Sequence, residues 1–140
     1  MAKATSHTLT LLALGGLVLL LLIPSYALYR FDTWIDWRIS ACGALLISLC
    51  TFYIYRRDKR RAELGAQRTP ESTLHLLELF GGWPGAFLAQ RVYHHKSSKV
   101  SYQMVFWLIV TLHELVTLDY LISWKISHAA IRLMSDAIIP

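Results

Sequence analysis

Four stretches of the chain are dense enough in apolar residues to leave water, and short polar segments separate them. Residues 8–28 (TLTLLALGGLVLLLLIPSYAL) carry no charge; as a helix, about 20 such residues cross roughly 30 Å of hydrocarbon. Residues 39–55 (ISACGALLISLCTFYIY) and 102–124 (YQMVFWLIVTLHELVTLDYLISW) read the same way. Trp34, Trp37, Tyr53 and Tyr55 flank the first of these, and aromatic residues stand at both ends of the second, where amphipathic rings favour the membrane–water interface. Pro24 is expected to bend the end of the first span, which lipid tolerates where neighbouring groups satisfy the freed carbonyl. With Lys3 ahead of it and Ser25-Tyr26-Ala27 behind, the same segment also has the make-up of a secretory signal, the alternative to a retained helix.

The fourth stretch, 72–93, is long enough to cross, but Gly81-Gly82-Trp83-Pro84-Gly85 interrupts it and Glu78 sits within it. Neither half spans alone. Thr69-Pro70-Glu71 offers an N-cap, a first-turn proline and a first-turn acid to the leading half, and Pro84 can open the second. The glycines permit unusual torsions, Pro84 removes an amide donor, and Gly85 lets another helix or a ligand come close. Free amides there suit an anion; a turn or packing joint is the plainer explanation. Residues 126–140, with Lys125 just before them, form a modestly amphipathic tail suited to a surface helix.

Composition sharpens this pattern. Of 140 residues, 55% are hydrophobic and 16% charged, with a formal net charge of +5 and a mean hydropathy of +0.42. An ordinary soluble domain is about 25% charged, and a chain this small cannot hide so large an apolar fraction from water. Arg56, Arg57, Lys59, Arg60, Arg61 and Arg68 face only Asp58, Glu63 and Glu71 in offset, so the positive-inside rule places segment 56–71, and with it the N-terminus, in the cytoplasm. If 72–93 crossed, Arg91, Lys96 and Lys99 would be external; a hairpin that returns keeps the basic clusters on one side, and charge favours it. The expected fold is all-α: one small helical integral membrane domain with three transmembrane helices plus a Gly/Pro-broken re-entrant or fourth helix. Cys42 and Cys50, about 12 Å apart along a helix, cannot bridge and read as small buried hydrophobes.

From Tyr55 to Tyr102 the chain contains D-K-x-x-A, R-x-P-E-x-x-L-H, G-G-x-P-G-A and H-K-x-x-K in that order. The residues that carry the pattern run from Asp58, Lys59 and Ala62 through Arg68, Pro70, Glu71, Leu74 and His75. Gly81, Gly82, Pro84, Gly85 and Ala86 follow, and His95, Lys96 and Lys99 close it. This resembles a family of small bacterial membrane proteins catalogued as a domain of unknown function, members of which are sometimes fused behind a cold-shock domain. The resemblance implies a helical fold in the bacterial inner (cytoplasmic) membrane and brings no activity with it. This chain opens on a membrane helix, so the nucleic-acid link that such fusions suggest does not transfer.

Candidate chemistry lies mostly on the basic side. Glu71, His75 and Glu78, at i, i+4 and i+7, share a helix face that suits proton transfer or metal ligation. A hairpin would bring His94-His95-Lys96 near Arg68 and Glu71. One interpretation makes Glu71, His75 and His95 acid–base groups, with Arg68, Arg91, Lys96 and Lys99 holding an anionic headgroup. The other has Arg68 and Lys59 pairing with Glu71 and Asp58 simply to hold the loops together. HExxH, CxxC and G-x-S-x-G are absent, and no motif names a metal or cofactor. The run Arg56–Arg61 suits anionic lipid at about 1 kcal/mol per cation; nucleic acid would need exposed stacking aromatics beside it, and is not expected. In the last span, His113 and Glu114 are ionisable groups at membrane depth, which by default face protein or water. They point either to function or to a polar contact with Ser48, Thr51 or a second protomer. The expected function is binding of membrane lipid, anionic lipid included, or of a partner through a basic cytoplasmic face. The alternative is a small membrane enzyme acting on a lipid or headgroup.

Overall fold

The computed structural model describes residues 2–30 and 36–138; the predicted interfacial Trp34 lies outside them. Helix α1 is Ala2–Arg30, α2 Trp37–Glu63, α3 Glu71–Leu77, α4 Trp83–Tyr93, α5 Val100–Leu121 and α6 Lys125–Ile138, and a wide helical turn, Glu78–Gly82, joins α3 to α4. The described residues are thus almost wholly helical. Three helices are long and apolar enough to cross a membrane, over Leu11–Arg30, Trp37–Glu63 and Val100–Leu121. Their outer faces carry exposed Leu12, Leu19, Ile39, Leu46, Leu108 and Leu115, which in water would be a liability and in lipid is the solvated state. The protein is a small helical integral membrane protein with three transmembrane helices. Cys42 and Cys50 are free thiols on the exposed surface of α2, so they are not the buried hydrophobes expected from composition.

Helix α2 runs past the apolar stretch and through the basic run to Glu63, because Arg, Lys, Ala and Glu are good helix formers. The wide turn after α3 leaves helical geometry at Phe80 (φ −79°, ψ 15°) and Gly81 (φ 97°, ψ 6°). Only glycine takes a φ of 97° without strain. Pro84 then sits in the first turn of α4, where its lost N–H has no helical acceptor anyway. Helix α4 ends on left-handed His94, and Lys96 has a φ of 63°, so the chain turns back sharply.

The α3–α4 pair therefore folds back on itself and wedges between α2 and α5. A Cβ added to Gly82 would come within 2.1 Å of the Thr51 hydroxyl, and one added to Gly85 within 1.9 Å of the Ser48 carbonyl oxygen. The glycines are thus the price of bringing two backbones into contact. Beside them a core of Leu74, Trp83, Phe87, Tyr102, Phe106 and Val110 closes, with Leu17 of α1 reaching it from the far side.

Candidate functional site

One face of α2 carries Thr51, Tyr55 and Asp58, all fully buried, at i, i+4 and i+7. Each meets a different part of the folded-back pair. Thr51 faces Gly82 and sends its hydroxyl hydrogen to the Ile47 carbonyl at 2.8 Å. Tyr55 donates to Glu78. Asp58 accepts the Thr69 backbone N–H at 2.7 Å and lies 2.8 Å from His95 Nε2. Thr69 thus serves Asp58 through its backbone and does not cap α3, whose first turn has no side-chain cap.

Glu78, with no exposed surface, is the centre of a buried network. The Tyr102 hydroxyl donates to Oε1 at 2.9 Å, beside the bond from Tyr55, and the two phenols also contact each other. His75 Nδ1 lies 2.7 Å from Oε2, and its ring stacks on Tyr102 with centroids 4.2 Å apart. Gln90 reaches the Tyr55 hydroxyl at 3.4 Å, and Gln103 ties Gln90 (2.7 Å) to the Lys96 carbonyl (3.0 Å). A buried carboxyl is tolerable only when its oxygens are satisfied in this way.

At the surface Lys96 and Lys99 both donate to Glu71, at 2.6 and 2.8 Å. These hydrogen bonds, Lys96 first, hold the Glu71 carboxyl down at about 2 against an ordinary 4.5. Lys96 Nζ also stands 5.5 Å over the Tyr102 ring. The two ends of the α3–α4 pair therefore meet.

The three acid–base candidates do not converge. Glu71 holds two lysines, His75 holds Glu78 and His95 holds Asp58. Nor are the pairings those of the simpler expectation, since Lys59 bonds Glu63 at 3.4 Å and Asp58 takes His95. Helical spacing joins His75 to Glu78 but leaves Glu71 facing the loop. Of the proposed headgroup ligands, Lys96 and Lys99 are committed to Glu71, Arg91 lies 5.1 Å over the Phe87 ring, and Arg68 is exposed. Gly81, Gly82, Pro84 and Gly85 form the turn and its packing joint. Among the described residues no group of three or more His, Cys, Asp and Glu gathers as a metal would need.

Sequence reasoning assigned Tyr55 to the interface and passed over Gln90. The signal was available: Thr51, Tyr55 and Asp58 share a face directly opposite the arginines. That opposite face forms a shallow groove of about 300 Å³ lined by Tyr53, Arg56, Arg57, Arg60, Arg61 and Leu64. None of these four arginines has an acidic partner among the described residues. In α5, His113 donates from Nδ1 to the Ile109 carbonyl at 2.9 Å, while both Glu114 carboxyl oxygens are buried without a hydrogen-bond partner. Neither residue bonds Ser48 or Thr51.

Fold and site together define a multi-pass helical membrane protein in which a broken hairpin is stapled to one span by buried polar side chains. Residues 48–102 match the family described as Protein of unknown function (DUF1294). The chain is also 32% identical over 65 residues, 46% of its own length and 73% of the relative's, to the uncharacterized protein YsdA of Bacillus subtilis (strain 168). It belongs to that family. The matched segment holds every member of the polar network except Gln103. No solved structure matches the chain.

Proposed function

We propose that this protein binds anionic membrane lipid through the arginine face of α2, on the cytoplasmic side of the bacterial inner membrane. The observation that carries this is the set Arg56, Arg57, Arg60 and Arg61, which line one groove beside Tyr53 with no carboxylate among the described lining residues. Arginine presents planar donors that match phosphate oxygens, and juxtamembrane cations gain about 1 kcal/mol each from an anionic surface. The orientation rests on the same charges. Because the α3–α4 pair returns to its starting side, Arg91, Lys96 and Lys99 join the α2 arginines, while the linker and tail sequences of the other side set Arg30, Arg38, Lys125 and Arg132 against Asp32, Asp36 and Asp136. The distribution of Glu71, His75 and His95 over three separate partners supports binding over the enzymatic alternative.

The test is native mass spectrometry of the full chain extracted in polymer discs. Wild type should retain anionic phospholipid over phosphatidylethanolamine, and the R56Q/R57Q/R60Q/R61Q variant should lose that preference by about tenfold or more. Equal retention by the two proteins would contradict the proposal.

A further inference from the structure

At the other end of α2 a half-open cavity of about 610 Å³ lies between α1, α2, α5 and the tip of the hairpin. Pockets of roughly 300–1,000 Å³ accommodate a single small molecule. Gly81 and Pro84 of the hairpin, Ala41 and Ala44 of α2, Pro24 of α1 and Trp124 all line it. Among the described residues no Lys, Arg, Asp or Glu lines it. A charged head would lose its hydration there without a counter-charge, so the space selects a neutral occupant.

Ser25, Ser48, His113, Thr117 and Tyr120 supply its polar side chains, and of these the histidine alone can offer an acceptor that carries no hydrogen of its own. The Thr117 hydroxyl is committed to the His113 and Glu114 carbonyls at 2.8 and 3.0 Å. His113 lies on the cavity wall with Nδ1 2.9 Å from the Ile109 carbonyl. A carbonyl only accepts, so Nδ1 carries the hydrogen, and a ring with that single hydrogen has Nε2 as an acceptor. No donor among the described residues reaches Nε2. An acceptor in an apolar space without its donor forgoes a hydrogen bond, and an O–H group on an otherwise apolar molecule would supply it.

We propose that this cavity binds one neutral single-chain lipid with a free hydroxyl head, the hydroxyl donating to His113 Nε2 and the chain lying along Ala41 and Ala44. The site is at the opposite end of α2 from the arginine groove, so the two assignments fail independently.

The experiment uses the full chain in phosphatidylcholine discs and a diazirine-bearing hexadecanol as photoprobe. Labelling should saturate and fall on α1, α2 or α5 next to the cavity. Unlabelled hexadecanol should compete about fivefold better than its methyl ether, which cannot donate. His113→Leu should bring the two competitors level, and Ala44→Phe should abolish labelling by filling the space. The wild-type competitor pair decides the matter even where a variant fails to fold. Labelling that rises without saturation, equal competition by alcohol and ether, or stronger competition by dioleoylglycerol than by hexadecanol would each overturn the assignment.

Discussion

The two ends of α2 live in different kinds of packing. Toward its C-terminus, Tyr55 and Asp58 bond the folded-back hairpin while Thr51 packs against Gly82 and bonds its own helix, and among the described residues every buried polar side chain there has its partner. Toward its N-terminus, Ala41, Ala44 and Ser48 face a cavity, and across the bundle Glu114 keeps an unpartnered carboxyl. Both ends use small or polar residues, yet only one is closed. The difference follows from the partner: glycines at 82 and 85 let the hairpin approach α2 backbone to backbone, and the hairpin stops at Gly81, leaving the space beyond it to the spans alone. Hydrophobic burial cannot specify contacts between spans when the solvent is itself apolar, so interfaces in lipid depend on small residues and hydrogen bonds. The closed end has both.

The largest effect that separates the two ends should come from Glu78→Ala, which removes the carboxylate that Tyr55, Tyr102 and His75 share. A loss of about 3–5 kcal/mol is expected in a reversible detergent-unfolding titration. Gly85→Val follows, because its added carbons meet the Ser48 backbone, which cannot swing aside; about 1–3 kcal/mol should be lost in the same titration. At the open end, Ala44→Leu has room and should change stability by less than about 0.5 kcal/mol. A large loss there would mean that the cavity closes in the membrane.

A subtler contrast concerns pH. The Glu71 carboxyl is held at about 2 against an ordinary 4.5, so its folded-state value is depressed. Its stabilising contribution is then present above 4.5 and lost as pH falls from there toward 2. Amide exchange in the 94–99 loop should accelerate over that window, and Glu71→Gln should remove this component while leaving exchange in α1 unchanged. No such dependence in wild type would show that Lys96 and Lys99 do not hold Glu71 in solution.

How much of this is legible in the sequence depends on the range of the forces involved. The spans could be read because hydrocarbon thickness imposes a length on each, and the break at Gly81 because few residues take a positive φ. Glycine spacing also announced a close approach, although not that Ser48 would be the contact. The pairings were less legible. Glu71, His75 and His95 looked like one site because their chemistry matches, but lysines arriving from a loop 25 residues later took Glu71, and Asp58 took His95. Such choices depend on how tightly the hairpin turns, which is set by the His94 and Lys96 torsions and has no local sequence signature. Tyr55 was misassigned for a related reason. At a span's end a tyrosine suits the interface equally well, and only the proximity of Glu78, 23 residues on, draws it inward.

The hairpin returns to the side from which it started, and cysteine labelling tests this directly. In a Cys42→Ser/Cys50→Ser background, Gln67→Cys and Ser97→Cys sit on exposed positions at either end of the hairpin. In oriented inner-membrane vesicles a membrane-impermeant maleimide should reach both from the same face, and Ser135→Cys on α6 from the other. Labelling of Gln67→Cys and Ser97→Cys from opposite faces would mean that segment 72–93 crosses, and the contact of Glu71 with Lys96 could not exist.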